Sequence, residues 1–161
     1  SDVYKRQDFT YLFLANHEVR YNCTIIDLHD RSVIANITDR NITSDLAIRT
    51  LRKALESQPT IKEGLILHSD QGSQYTSKAF TEFCESVNVT QSMSKAGYPY
   101  DNAPMERYFN TLKNECTNLY EFTTEETLYQ KVEEFAYVDY NHVRPHSYNG
   151  YRTPYEARTA A

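Results

Sequence analysis

Tryptophan is absent from the 161 residues, and the sequence has only four glycines and three cysteines. Cys23, Cys84 and Cys116 are far apart and odd in number. This excludes a disulfide framework and a CxxC metal-binding pair, and it favours a reducing compartment. No apolar run approaches the ~20 residues that a membrane-spanning helix needs, so we expect no membrane partner. The polar residues 1–7 lack the apolar segment of a signal peptide, so nothing in them directs export.

The composition is that of an ordinary globular domain, with 40% hydrophobic and 24% charged residues. The net charge of -5 argues against nucleic-acid binding, because DNA-binding domains usually carry a basic surface. This objection weakens if acidic residues hold metal ions, since two divalent cations would add four positive charges and leave -1. Net charge also says little about local patches.

The first forty residues predict a three-stranded antiparallel meander. Strands are expected at Asp8–Leu14, Val19–Leu28 and Ser32–Thr38, because these segments are rich in aromatic and β-branched residues and have short polar connections. Downstream, the hydrophobic period changes to that of helices, interrupted by two further short strands. The predicted order begins with a helix capped by Thr43 or Ser44, a strand at Leu65–Leu67, a helix at Ser77–Val87 and a strand at Val89–Met93. A loop at Ser94–Asn102 then leads into a helix capped by Asp101 or Asn102, whose apolar residues are Met105, Tyr108, Phe109, Leu112, Cys116 and Leu119. A helix from Thr123 to about Tyr140 and a last turn at Tyr155–Arg158 complete the prediction.

Three carboxylates fall at positions where core segments begin or end. Asp8 heads the first predicted strand, Asp70 follows the buried strand, and Glu106 lies in the first turns of a helix. Desolvating an acid is costly unless a cation offsets its charge, and carboxylate oxygens suit Mg2+ or Mn2+. From spacing alone, simpler readings remain open: a turn residue for Asp70, a strand-start residue for Asp8 and a solvated helix face for Glu106.

Several motifs resemble those of bacterial insertion-sequence transposases of the OrfB type, whose core is similar to retroviral integrases. The first is His68-Ser69-Asp70-Gln71-Gly72-Ser73-Gln74-Tyr75, and the second runs from Gly97 to Glu115 and contains Glu106. Asp70 and Glu106 are separated by 35 residues, as in the D…D-x35-E class. Asp8-Phe9-Thr10-Tyr11 resembles the first-aspartate motif, and the segment from Tyr140 to His146 resembles the C-terminal signature. The resemblance covers residues 8 to about 158.

The resemblance implies a ribonuclease-H-like α/β fold, in which a mixed sheet of an antiparallel meander and parallel strands is flanked by helices. It implies a polynucleotidyl transferase that cuts and joins DNA with two Mg2+ or Mn2+ ions held by Asp8, Asp70 and Glu106. Lys113 matches a family position that binds the DNA end, and Arg144 and Arg152 are weaker candidates for phosphate contacts. The implied partners are transposon ends, target DNA and a homodimer or higher assembly, in the bacterial cytoplasm.

The domain organisation that follows from the resemblance has three parts: residues 1–7 as a leader outside the family, 8–141 as the integrase catalytic core and 142–161 as its C-terminal tail. The sequence departs from the family in two respects. The family has a tryptophan before the first aspartate, and its full-length members carry an N-terminal helix-turn-helix region. Two other functions remain open. One is a ribonuclease-H-like nuclease that only hydrolyses, and the other is an inactive truncated remnant that serves as a dimerisation module.

Other residues offer competing sites. His142 and His146 are four apart and suit zinc, although no second pair of Cys or His lies nearby. His68 either orients the site or is a hydrogen-bonded structural histidine. Among the remaining acids, Asp27 is the strongest alternative, because it ends an otherwise apolar strand.

Overall fold

The computed structural model of the protein describes residues 4–57, 64–93 and 103–160. Its strands are β1 (Tyr4–Phe13), β2 (Val19–Asp27), β3 (Val33–Asp39), β4 (Leu65–Ser69) and β5 (Val89–Met93). Its α-helices are α1 (Ser44–Ser57), α2 (Ser73–Thr76), α3 (Lys78–Ser86), α4 (Ala103–Glu115), α5 (Glu125–Glu134) and α6 (Pro154–Thr159). A π-helical segment, Phe135–Val143, continues α5, and short 3-10 turns lie at Thr117–Leu119 and Ser147–Asn149.

The strands form one mixed sheet in the order β3-β2-β1-β4-β5. β1, β2 and β3 pair antiparallel as the predicted meander, whereas β4 pairs parallel with both β1 and β5. Parallel neighbours need a crossover connection, and here α1 joins the meander to β4 while α2 and α3 join β4 to β5. The predicted mixed sheet flanked by helices is confirmed.

Each face of the sheet carries its own hydrophobic core. One core packs α1, α2 and α3 on the sheet through residues such as Leu51, Tyr75 and Phe80. The other packs α4, α5 and the π-helical segment through residues such as Leu112 and Val132. Successive side chains of a strand point to opposite faces, so Phe9 reaches the first core while Leu12 reaches the second. The central strand β1 therefore belongs to both cores.

Helix starts follow the predicted capping chemistry. The Thr43 hydroxyl accepts the Leu46 N–H at 3.1 Å before α1, and the Ser77 hydroxyl accepts the Phe80 N–H at 3.2 Å before α3. Each cap satisfies a backbone donor that the helix itself leaves unpaired. Pro104 lies in the first turn of α4, as expected.

Two local predictions were wrong. β1 begins at Tyr4 rather than Asp8, because Lys5, Arg6 and Gln7 are buried in the sheet despite their polarity. Residues 4–7, which the sequence analysis assigned to a leader, thus form the start of the central strand. That residues 1–7 lie outside the family stays a prediction. Leu119 does not join the apolar stripe of α4, because that helix ends at Glu115 and the Leu119 side chain is 65% exposed.

The predicted loop at Ser94–Asn102 and its capping candidates Asp101 and Asn102 lie outside the described residues. In the described part of the chain, no helix is both long enough and apolar enough to cross a membrane.

Candidate active site

The parallel pairing of β1 with β4 determines where two of the three predicted carboxylates lie. The last paired residues are Arg6 of β1 and His68 of β4. Asp8 lies two residues beyond Arg6 on β1, and Asp70 lies two residues beyond His68, just after β4. Both aspartates therefore follow the last pair of two adjacent strands, which are about 4.8 Å apart. β4 ends at Ser69, so Asp70 stands at the carboxyl end of this strand while β1 continues past it.

Backbone N–H groups orient both aspartates. The Asp70 Oδ1 atom accepts the Gly72 N–H at 2.7 Å, and the Asp8 Oδ1 atom accepts the Phe9 N–H at 2.8 Å. A Cβ atom at position 72 would lie only 2.8 Å from Asp70 Oδ1. A side chain at this position would displace the Asp70 carboxylate or the Gln74 amide, whose Oε1 atom would be 2.9 Å away, which gives a physical reason for the Asp-Gln-Gly order of the motif.

Tyr75 is the buried aromatic residue of the motif that contains Asp70. Its side chain is fully buried and contacts the rings of Phe9 and Phe80 at centroid distances of 5.5 and 5.3 Å. Burial is the main reason that the pKa of Tyr75 is raised well above 10, and the charges of Cys23, Asp8 and Asp70 raise it further. Tyr75 thus anchors the Asp70 motif on Phe9, the residue that follows Asp8.

Glu106 lies in the first turn of α4, is exposed, and belongs to a helix that packs on β1. Across residues 4–57, 64–93 and 103–160, no three His, Cys, Asp or Glu side chains are grouped closely enough to hold a metal ion. The structure thus places Asp8 on β1, Asp70 directly after β4 and Glu106 on α4, and it does not bring the three into one cluster.

The predicted DNA-binding residues lie in three different places. Lys113, half-buried near the end of α4, lines a cavity of about 410 Å³ with the end of β1 and residues 117–122. Arg144 lines a cavity of about 430 Å³ on the side of α4, and its Nε donates to the Glu115 carboxylate at 3.0 Å. Arg152 lies in a third, shallower cavity and donates to the Asn149 carbonyl at 3.1 Å.

The competing site residues have structural contacts. Asp27 is fully buried, with its Oδ2 atom 2.7 Å from Lys5 Nζ. The His142 ring is 4.3 Å from Tyr155, whereas the buried His146 ring is 4.4 Å from Tyr140. The two histidines thus pack on different aromatic rings.

His68 also packs on an aromatic ring, because it stacks on Tyr4 at 5.9 Å. Sequence reasoning did not single out Tyr75 as a buried anchor, although it closes the first motif. It also missed Arg31 and Arg107, which line the same cavity as Arg144. No local sequence pattern identifies Arg31 as part of this cavity, because Arg31 is more than seventy positions from both Arg107 and Arg144 in the chain.

Comparison with known families supports the resemblance. The integrase core domain matches residues 6–99, and a second family of the same description matches residues 87–154. Transposase InsF for insertion sequence IS3A, from Escherichia coli (strain K12), is 34% identical over 152 residues, which are 94% of this chain and 50% of that protein. The chain spans about half the length of this relative and of the insertion element IS600 31 kDa protein from Shigella sonnei.

Solved structures agree on the fold. The HTLV-2 integrase catalytic core domain, in complex with magnesium and in dimeric form, has a TM-score of 0.62 at 17% identity, covering 99% of this chain and 97% of that one. The Mos1 transposase catalytic domain, with Raltegravir and Mg, has a TM-score of 0.67 at 15% identity, covering 84% and 71%. These likenesses confirm the predicted ribonuclease-H-like fold. The chain therefore belongs to the integrase core domain family, in the branch of insertion-sequence transposases.

Proposed function

We propose that the chain is the catalytic core of a DNA transposase and that Asp8, Asp70 and Glu106 form its reaction centre. The observation that supports the proposal is the parallel pairing of β1 with β4, whose last pair, Arg6 with His68, lies two residues before Asp8 on one strand and two residues before Asp70 on the other chain segment. Functional groups of open α/β sheets collect at the carboxyl ends of their strands. α4 lies against β1 and carries the exposed Glu106 in its first turn, so we infer that this side chain supplies the third carboxylate.

The donor chemistry fits Mg2+ or Mn2+. All three groups offer hard carboxylate oxygens, and no sulfur or imidazole competes in the proposed set. Like charges repel, so bare carboxylates keep apart and a divalent cation favours their approach. Asp8 and Asp70 would hold the ions jointly and Glu106 would complete one site. When bound, two such ions stabilise both the attacking and the leaving oxygen of an in-line displacement at phosphorus.

The chain itself supplies orientation and DNA contacts. The Gly72 and Phe9 N–H groups fix one oxygen of each aspartate, which leaves the other oxygen to turn toward the reaction centre. Lys113 lies two helical turns beyond Glu106 on the same face of α4, where a phosphate beside the scissile bond would meet its ammonium group. Arg144 and Arg152 add more distant phosphate contacts. No covalent link between protein and DNA is required.

The proposed substrates are transposon ends and target DNA in the bacterial cytoplasm. Joining two ends to one target requires at least two active centres, so we infer a homodimer or higher assembly on DNA. The HTLV-2 core was solved as a dimer, which supports this inference. We place the catalytic core at residues 8–141 and its C-terminal tail at 142–161.

A nicking assay on supercoiled plasmid tests the reaction centre. The chain is incubated with Mn2+ or Mg2+, beside Asp70→Asn, Asp8→Asn and Glu106→Gln variants and a chelator control. Each variant should abolish nicking and still unfold cooperatively. Asp45→Asn is the matched control, because Asp45 is an exposed acid on α1 that contacts only the surface Arg49 at 2.8 Å. It should nick like the unmodified chain.

The outcomes separate the alternatives. A triad variant that nicks normally loses its catalytic role. Nicking without joined products, when end-containing DNA is supplied, would favour a nuclease that only hydrolyses. A folded chain that neither nicks DNA nor shows a Mn2+-dependent rise in melting temperature, in a sample where Asp70→Asn behaves identically, would favour the inactive remnant.

A further inference from the structure

Beside α4 lies a cavity of about 430 Å³ whose charged lining residues are basic. Three arginines from distant parts of the chain meet there: Arg31 from the β2–β3 turn, Arg107 from α4, and Arg144 from the end of the π-helical segment. We call this cavity the arginine pocket. Its other lining residues are Pro104, Asn110, Thr111, Tyr140, His146, Ser147 and Tyr148.

The charge balance of the arginine pocket is opposite to that of the whole chain. Its described lining residues include three guanidinium groups and no carboxylate. The nearest compensating acid that contacts them is Glu115, which accepts two hydrogen bonds from Arg144 Nε at 3.1 and 3.0 Å. Three positive charges therefore face one negative charge, in a protein whose net charge is -5. Such a local excess of positive charge attracts anions whatever the sign of the total.

Tyr140 lines the arginine pocket together with the three arginines. Tyr140 is only 4% exposed, and burial raises its pKa to about 12, while the charges of Arg144, Arg31 and Arg107 all act in the lowering direction. Its hydroxyl therefore keeps its proton at neutral pH and can donate it in a hydrogen bond. The ring is held edge-on against Tyr108 at 4.8 Å, so this donor has a fixed position.

Two of the three arginines, Arg31 and Arg144, are held in place by other side chains. Arg31 lies over the Tyr148 ring, with its Cζ atom 4.0 Å from the ring centroid, and Arg144 is held by Glu115. Ordering a guanidinium in advance lowers the conformational entropy that binding must remove. A planar guanidinium pairs with two oxygens of a phosphate at once, which makes arginine the preferred partner of phosphodiester groups.

We propose that the arginine pocket binds phosphate groups of the DNA backbone next to the reaction centre. This inference rests on the proposed function for its substrate class, and it adds Arg31 and Arg107 to the DNA-contacting surface. Arg107 directly follows Glu106 in α4, and Asn110 is one helical turn from Glu106. DNA seated on the proposed catalytic carboxylates would thus run into the pocket. Lys113 borders a separate cavity further along α4, so the helix has basic groups on two sides.

Fluorescence anisotropy with a labelled DNA duplex tests the pocket without any chemical step. It is measured in Ca2+ over a range of salt concentrations, using Arg31→Gln and Arg107→Gln. Each lost phosphate contact should lower the slope of log K against log salt by about 0.9, which corresponds to about eightfold weaker binding at 0.1 M salt. Arg52→Gln is the matched control, because Arg52 also lies over a ring, with Cζ 5.1 Å from Phe83, but on α1. It should leave the slope unchanged.

The opposite change should strengthen binding. Glu115→Gln removes the acid that holds Arg144, so a guanidinium is released for phosphate and a repulsive charge disappears. We expect an affinity increase of about two- to eightfold and a steeper salt slope. Glu82→Gln removes an equal charge from an exposed pair with Lys78 on α3, at 3.7 Å, and should have no comparable effect.

Three results would contradict the proposal that the arginine pocket binds DNA phosphates. The first is an unchanged slope for Arg31→Gln and Arg107→Gln in samples whose melting temperature matches the unmodified chain. The second is loss of inorganic phosphate binding in these variants with DNA affinity intact, since the ligand would then be a free anion. The third is an unmodified chain with no measurable DNA affinity. Loss of plasmid nicking in Asp70→Asn with normal DNA binding concerns the catalytic centre alone, so the two proposals fail separately.

Discussion

Replacing Asp27 by Asn should lower the free energy of unfolding by about 3 kcal/mol without touching the proposed catalytic carboxylates. The Asp27 side chain is fully buried, with its Oδ2 atom 2.7 Å from Lys5 Nζ and 3.0 Å from Arg158 NH1. Its Oδ1 atom accepts the His29 N–H at 2.7 Å. The network joins the start of β1, the end of β2 and the last helix, so it ties both ends of the described chain to the sheet.

The magnitude follows from burial. Lys5 is 2% exposed, so the variant leaves an ammonium group in the interior without this carboxylate. Removing one partner of a buried ion pair costs about 3–5 kcal/mol, and we take the lower end because Asn still accepts the His29 N–H. A domain of this size has a total stability of about 5–15 kcal/mol, so the loss is large. The double variant Lys5→Met/Asp27→Leu removes both charges and should recover most of it.

Urea unfolding followed by circular dichroism measures this change in the free energy of unfolding. Repeating the measurement at low pH distinguishes the contribution of the Asp27 charge from that of side-chain packing. Burial raises the pKa of Asp27, but the hydrogen bond and charge of Lys5 outweigh burial, with help from His29 and Arg158, so the pKa is lowered below 3.8. The stabilisation is therefore complete above about pH 4 and lost as pH falls through the folded pKa. The gap between Asp27→Asn and the unmodified chain should close in that range. A gap under about 1 kcal/mol at pH 7, or one that persists in acid, would refute the reasoning.

Three other perturbations have defined outcomes. Gly72→Ala should reduce metal-dependent nicking about tenfold or more with a small change in melting temperature, because its Cβ would meet Asp70 Oδ1 at 2.8 Å; normal nicking would contradict this. Glu125→Gln should lower the melting temperature at pH 7, because hydrogen bonds from Arg40 and Arg20 lower the Glu125 pKa to about 2. That difference should shrink as pH falls from 4.5 toward 2, and a constant difference would rule out the charge effect. The three buried cysteines, whose pKa values burial raises to between about 11 and about 12, should resist a thiol reagent at pH 8 until urea unfolds the chain; fast labelling would show otherwise.

Local patterns were sufficient for the secondary structure because they report on local physics. Aromatic and β-branched residues with short polar connections predicted the β1–β2–β3 meander, and a helical period predicted α1 and α3, with a Thr43 or Ser44 cap for α1. The start of β1 was missed for the same reason. Lys5 and Arg6 are charged, and what stabilises them in a buried strand includes Asp27, twenty-two positions away from Lys5. A window of neighbouring residues does not contain such a partner.

Some features of the candidate site could also be predicted from local sequence, and others could not. Asp70 and Glu106 stand out in the sequence because their motifs and their 35-residue separation are linear features. Where Asp8 lies relative to Asp70 depends on the pairing of β1 with β4, which only the sheet defines. The arginine pocket has no linear signature at all, because Arg31, Arg107 and Arg144 approach each other only after the turn, the helix and the tail have packed.

The net charge illustrates why the difference between linear and spatial features of the chain matters for function. A sum of -5 is evidence against DNA binding only if the charges are spread evenly, and they are not. Ion pairs such as Asp27 with Lys5, Asp39 with Arg49 and Glu125 with Arg40 each add one positive and one negative charge, so they do not account for this sum. The sum also does not say where on the surface the excess acids lie. Beside α4 the arginine pocket presents three guanidinium groups, one of them paired with Glu115, next to the exposed Glu106 on the same helix. The positive field of the pocket, which the sum conceals, would steer DNA to this side of the helix.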